Sequence, residues 1–378
     1  MKRRILVLFM ALSMTALLFG CGKKEEKKEE PKPTVEEKKE EEKEEVVEEE
    51  TEVAPEGMAR SYLTGEWIDE TIAGKRPYAV MIGNTVDALP QYGIGSADVI
   101  YEVPVEGAYT RLMAIFQDIT GLEKIGSVRS CRHYFIYFAK EFDAIYTHYG
   151  QAVYAEPILA QDDVHNLNGM DSSVESIAFY RDNNRKAPHN AFTSEEGLLA
   201  ATEKKEYRTE YADTYQGHYQ FAKDNEEVVL DGEDALVVSP GYFVNKPWFV
   251  YNEEEGVYDR YEFKQEQIDG ATNEQLKCKN IIIQVCDWQF KDNNGYLDVS
   301  TIPWSGEGFG QYITNGKMID IKWKKEDENS PARYYDTEGN EITMNQGKTW
   351  VCVILSDDVD RFQVYQTEEE LSAARAAQ

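Results

Sequence analysis

"KIGSVRSCRHYFIYFAKEFDAIYTHYG", residues 124–150, carries a strand, a helix and a second strand in one stretch. "KIGSVRS" reads as a short strand. "CRHYFIYFAKEFD" is apolar on most faces, which predicts a buried helix rather than a surface one. "DAIYTHYG" reads as the next strand. At the first junction, Arg129, Arg132 and His133 fall within five positions around Ser130 and Cys131, in a chain of formal net charge −30.

Working outward, the alternation continues from about residue 75 to 200. "RPYAVMIGN" is a β-rich run stopped by Gly83 and Asn84. "ADVIYEVPVEGAYTRLMAIFQD" predicts an antiparallel hairpin turning near Glu106 and Gly107. "QAVYAEPILAQ" is helix-like despite Pro157, and Thr193 followed by Glu196 has the spacing of a capping box at the head of "SEEGLLAATEKKEY". Strands alternating with helices predict a mixed α/β sheet. From about Asn280 the texture changes to short alternating runs, with Asn315-Gly316 a hairpin signal and Glu338-Gly339-Asn340 a second one. The fold class expected is therefore α+β, a mixed α/β N-terminal domain followed by an antiparallel β domain, a small barrel or sandwich. The expected boundaries are 58–210 for the first domain, 211–280 for connecting strands, 281–365 for the β domain and 366–378 for a tail.

The N-terminus is not part of the fold. Lys2, Arg3 and Arg4 precede an apolar stretch ending in Leu18-Phe19-Gly20-Cys21, so residues 1–21 read as a lipoprotein signal peptide, with Cys21 the residue to be acylated. An uncleaved signal anchor is the rival reading of the same stretch. Residues 22–57 hold eight Lys and sixteen Glu and almost nothing to bury, which predicts a disordered spacer. The leader contributes +3 and the spacer −8 to the net charge, leaving −25 on the body from Met58. So acidic a body excludes nucleic acid as a partner, because phosphate neutralisation needs a basic face. It is also repelled by anionic lipid surfaces, which leaves the acyl chain as the membrane attachment. The expected location is the extracytoplasmic face of the cell membrane.

"RPYAVMIGNTVDALPQYGIGSADVIYEVPVEGAYTRLMAIFQD", "KIGSVRSCRHYF", "DAIYTHYG", "RDNNRKAPHN" and "GKTW" occur in the order in which similar stretches occur in the YerB-like family of bacterial lipoproteins. The resemblance covers most of residues 75–360. One departure is Gly107-Ala108-Tyr109, where the family usually pairs two glycines before the Thr-Arg. The resemblance implies a two-domain plan and an extracytoplasmic location, and it carries no activity with it.

The chemistry must therefore come from the residues. Ser130, directly before a predicted helix, reads first as an N-cap. Arg132 in a first helical turn opposes the helix dipole, at about 0.3–1 kcal/mol, unless an anion sits there too. That anion is either a ligand or an internal Asp or Glu. Arg111 stands in the otherwise apolar "AYTRLMAIF", and His148 ends a strand just before Gly150, where strand C-termini line a ligand crevice if the strands are parallel. Arg181, Lys186, His189 and Asn190, with Arg185, cluster in "YRDNNRKAPHNAF". Together with Arg129 these residues predict a cationic Arg/His pocket for an anionic envelope component: a wall glycan, a peptide carboxylate or an acidic protein segment. Two alternatives stay open. One is a wall-acting hydrolase or transferase using Ser130, Cys131 or His148, with Cys131–His133 a further pairing. The other is a scaffold that recruits proteins without a small ligand. No G-x-S-x-G elbow, H-E-x-x-H or C-x-x-C occurs, and "QGKTW" lacks the first glycine of a phosphate loop, so neither metal nor cofactor is expected. Cys286 and Cys352 lie in strand-like runs where buried thiols or a disulfide are both compatible with the sequence.

Overall fold

The computed structural model describes residues 52–300 and 306–377. Cys21, the signal peptide and most of the spacer lie outside the described residues. Within 52–57, the Glu52 carboxylate pairs with Arg60 and accepts from the Asp224 backbone N–H, so the chain is tied to the body before Met58.

In the first half the expected strands and helices form, except that "KIGSVRS" is a strand only at Ile125–Gly126, and the strand Asn166–Asn168 was not expected from the sequence. The main elements are β1 (Tyr78–Asn84), β2 (Val99–Pro104), β3 (Thr110–Phe116), α1 (His133–Lys140), β4 (Ile145–His148), β5 (Asn166–Asn168) and α2 (Glu195–Lys204). β2 and β3 are the antiparallel hairpin read from the sequence, with Val99 opposite Ile115 and Pro104 opposite Thr110. α1 buries every residue except Lys140, as its all-round apolar sequence requires. Two local readings differ. α1 begins at His133 with Arg132 in the cap position, so Ser130 is not its N-cap. α2 is capped by Ser194, whose oxygen accepts from Gly197 N, while Thr193 ends a strand and donates to Ala178 O.

The second half contributes β6 (Val237–Ser239), β7 (Trp248–Asn252), β8 (Val257–Glu262), β9 (Asn280–Cys286), β10 (Gly306–Thr314), β11 (Lys317–Lys325), β12 (Thr349–Leu355) and β13 (Gln363–Tyr365). The β10–β11 hairpin turns at Asn315 and Gly316, both at positive φ, as an Asn-Gly turn demands. The fold is α+β. β6, β7, β8 and β13 belong to a six-stranded antiparallel sheet that packs face to face on the larger sheet, Val238, Phe249 and Tyr258 sharing a core with Ile281, Ile313 and Trp350. Residues 368–377, expected as a tail, form a helix that buries Leu371.

The larger sheet has eleven strands and takes members from both halves, in the order β11-β10-β9-β12-β2-β3-β1-β4-β5, with the short strands Glu233–Asp234 and Arg333–Tyr335 also pairing with β11. β12, near the end of the chain, lies parallel between β9 and β2. β4 is parallel to both β1 and β5. With β3 antiparallel to its two neighbours, β9, β12, β2, β1, β4 and β5 all point the same way. Their carboxyl ends, Cys286, Leu355, Pro104, Asn84, His148 and Asn168, therefore share one edge. Cys286 and Cys352 fall on opposite faces of this sheet, so they do not face each other, and the four described cysteines are buried.

Candidate site at the carboxyl edge of the sheet

Arg111 is the second residue of β3, and because β3 runs against its neighbours it starts at the edge where they end. Its guanidinium is buried, donates from Nη1 to Ser130 O at 2.5 Å, and makes no ion pair among the described residues. Burial and the nearby charges of Arg132 and Arg129 push it down to about 10, so it stays cationic at neutral pH. Arg129 donates to Pro188 O at 3.0 Å and likewise lacks a described carboxylate partner. Burial and Arg132 push it down too. Its stem crosses Gly83, where an added Cβ would meet Arg129 Cγ at 3.1 Å.

Arg132 is served differently. Its Nε lies 2.8 Å and its Nη2 2.7 Å from Glu106 Oε2, a fork on a carboxylate from the β2–β3 turn. The anion expected beside Arg132 is thus an internal glutamate. Glu106 also reaches Leu297 N at 3.4 Å. The turn holds Gly107 at φ +76° and Ala108 at φ +62°.

Ser130 Oγ donates to Tyr149 O at 3.1 Å. Cys131 is wholly buried, its Sγ–H directed at Arg132 O, and burial pushes the thiol up to about 12. His148 is also wholly buried. Its Nδ1 lies 2.8 Å from Gly150 O and its Nε2 3.2 Å from Asn166 Oδ1, and burial pushes it down to about 4. As a neutral ring it donates to only one of these two oxygens, and either bond braces the loop after β4 at one of its ends. His133 Nε2 lies 2.7 Å from Asp298 Oδ1. No described hydrogen bond joins Ser130 or Cys131 to either histidine, so the geometry offers no activated nucleophile.

The 181–190 loop packs onto the same edge through Arg129 and Pro188. His189 is pushed down by its own burial and by Arg129. Arg181 donates to Asn190 Oδ1 at 2.8 Å and sits 4.4 Å over the Tyr149 ring. Arg185 is held by Ala88 O and Pro90 O. Lys186 is exposed, and its side chain makes no described contact. The structure thus gathers Arg111, Arg129, Arg132, Ser130 and His189, sets Arg181 and Asn190 beside them as a pair, and seals His148 beneath.

Sequence reasoning missed Glu106, which it read only as a turn residue, and a cavity of about 390 Å³ at the ends of β2, β9 and β12. Tyr109, Tyr242, Phe243, Trp288, Phe290 and Leu297 supply much of its wall. Trp288, two residues past β9, carried the available signal, since residues just beyond parallel strand ends line ligand crevices.

Two domain descriptions match this chain: "Protein of unknown function (DUF3048) N-terminal domain" over residues 63–208 and its C-terminal partner over residues 238–351. The chain is 27% identical over 317 residues to "Putative lipoprotein YerB" of Bacillus subtilis (strain 168), covering 81% of this chain and 88% of the relative. The crystal structure of the YerB protein from Bacillus subtilis superposes with a TM-score of 0.69 at 26% identity, covering 82% of this chain and 100% of that one. With both domains matched in order, and a relative spanning the same architecture, the chain belongs to the YerB-like, DUF3048 family.

Proposed function

We propose that the protein is an extracytoplasmic lipoprotein, anchored to the membrane through acylated Cys21, whose carboxyl edge binds an anionic component of the cell envelope. One observation carries the binding reading: Arg111 is a buried cation with no carboxylate partner among the described residues. An unpaired buried charge is costly, and buried charges are normally paired. In a body with so many carboxylates, an arginine left without one is set up for an anion from outside. Arg129 adds a second charge without a described partner, and His189 and Arg181 a polar rim. The lipoprotein name of the relative supports the anchor. A wall-acting hydrolase is disfavoured by the high thiol pKa of Cys131 and by the sealed ring of His148.

The test is Arg111→Met, titrated calorimetrically with inorganic phosphate and with acetylglycine as a peptide-carboxylate probe. Loss of a charge-assisted bond worth about 1.5–3 kcal/mol should weaken binding by roughly 10- to 150-fold. In anion-free buffer the variant should keep its stability to within about 1 kcal/mol, because no internal carboxylate is orphaned. Intact binding, or a loss of several kcal/mol of stability, would sink the reading. For the anchor, Cys21→Ala should release the protein from the membrane fraction; a variant that stays membrane-bound refutes acylation at Cys21.

A further inference from the structure

Two features of the carboxyl edge lie side by side. One is the cationic group of Arg111 and Arg129, without carboxylate partners among the described residues. The other is the cavity of about 390 Å³, whose lining includes Tyr109 and Thr110, the two residues immediately before Arg111. Glu106 joins them: it lines the cavity and is forked by Arg132. The cavity's opening is apolar, since Tyr109, Phe243 and Phe290 are 43%, 46% and 60% exposed there. A soluble body this acidic has no folding reason to leave three large rings half in water around one cavity. The far wall carries Asp358 with Arg361 acting on it and lying 3.6 Å over the Phe243 ring, so the cations without a described carboxylate are at the other end, at Arg111 and Arg129.

We infer that the edge binds a single anionic amphiphile, its phosphate or carboxylate head at Arg111 and Arg129 and its apolar tail in the cavity between Tyr109, Phe243, Trp288 and Phe290. The inference rests on the anion reading above and narrows it. The volume is that of a small-molecule site rather than a docking groove. The charge of −25 on the body keeps the edge off an anionic bilayer, so the ligand enters as one molecule and not as a membrane surface.

Calorimetric titrations of the soluble body with octyl phosphate, inorganic phosphate and octanol decide it. Each buried methylene is worth roughly fourfold in affinity, so burying four makes octyl phosphate about 200-fold tighter than inorganic phosphate. Arg129→Gln should weaken both phosphates about tenfold or more and leave octanol unchanged. Phe290→Asp should weaken octyl phosphate and octanol and leave inorganic phosphate unchanged. Phe243→Ser replaces it if that variant fails to fold. Octyl phosphate binding no tighter than phosphate, with phosphate still lost in Arg129→Gln, overturns the inference and spares the anion reading. Phosphate binding untouched by both Arg129→Gln and Arg111→Met overturns the two together. Co-sedimentation of the wild type with phosphatidylglycerol vesicles, abolished by Phe290→Asp, would make the edge a membrane-docking face and overturn the single-molecule form.

Discussion

Arg111 and Arg260 are both buried arginines beside the same strand pair, and the protein treats them in opposite ways. Arg260 lies at the seam between the two halves. It meets Glu102 of β2 at 2.5 Å, donates to Gln267 Oε1 at 3.1 Å, and is flanked by the Trp350 and Phe249 rings at 4.4 and 4.5 Å. Asn84, Thr110 and Asn245 complete the hydrogen bonds to Glu102. Glu262, on the same network, is pushed up to about 7 by burial and by Glu102 beside it. Arg111 donates to one carbonyl and has two other arginines beside it, while Glu106 acts on it only across space, its carboxylate being forked by Arg132. A paired buried charge holds structure together, whereas an unpaired one at the rim is a demand for a partner. The difference separates a structural arginine from the one proposed above to bind, without reference to any relative.

The sharpest way to break that comparison is to remove each arginine in turn. Arg260→Met leaves Glu102 buried without its cation and should lower unfolding free energy in urea by about 3–5 kcal/mol. Arg111→Met should not. Equal losses would mean that both are structural.

The next largest effect is at acid pH. His148 titrates near 6.5 when unfolded and about 4 when folded, so the unfolded chain binds more protons between those values. The stability it contributes is full above pH 6.5 and is lost as pH falls to 4, up to about 3 kcal/mol. Asp98, pushed up to about 6 by burial, slopes the other way, so only the difference between wild type and His148→Gln isolates the histidine. That difference, from denaturation at pH 7 and pH 4, should shift by about 3 kcal/mol in the variant's favour on acidification. A constant difference would place His148 in water and reopen its catalytic reading.

Arg132→Ala removes a fork whose side chains are 18% and 28% exposed, so the expected loss is smaller, about 1–2 kcal/mol by thermal melt, with phosphate binding kept. Binding lost with stability intact would return the anion to Arg132. Smallest of all, Ala108 occupies a left-handed position at φ +62°, and Ala108→Gly should raise stability by up to about 1 kcal/mol. A drop would show that the Ala108 methyl matters to the turn through packing.

Period and turn chemistry were enough to read β1 to β4, the all-round burial of α1 and the Asn315-Gly316 hairpin. Each is set by residues within a few positions of one another, and local sterics and burial pattern act at that range. The first arginine cluster was visible for the same reason, being five residues long. Whether each arginine has a partner was not visible, since Glu106 lies 26 positions from Arg132 and Glu102 lies 158 from Arg260. The shared carboxyl edge was equally out of reach, because β12 joins β9 and β2 only by long-range pairing that no local pattern encodes. The sequence by itself determined which segments fold and where the cations stand along the chain. Only the tertiary structure, by bringing distant carboxylates to some of those cations, decided which are left without an ion pair among the described residues, because such pairing is set by long-range packing that no local pattern encodes.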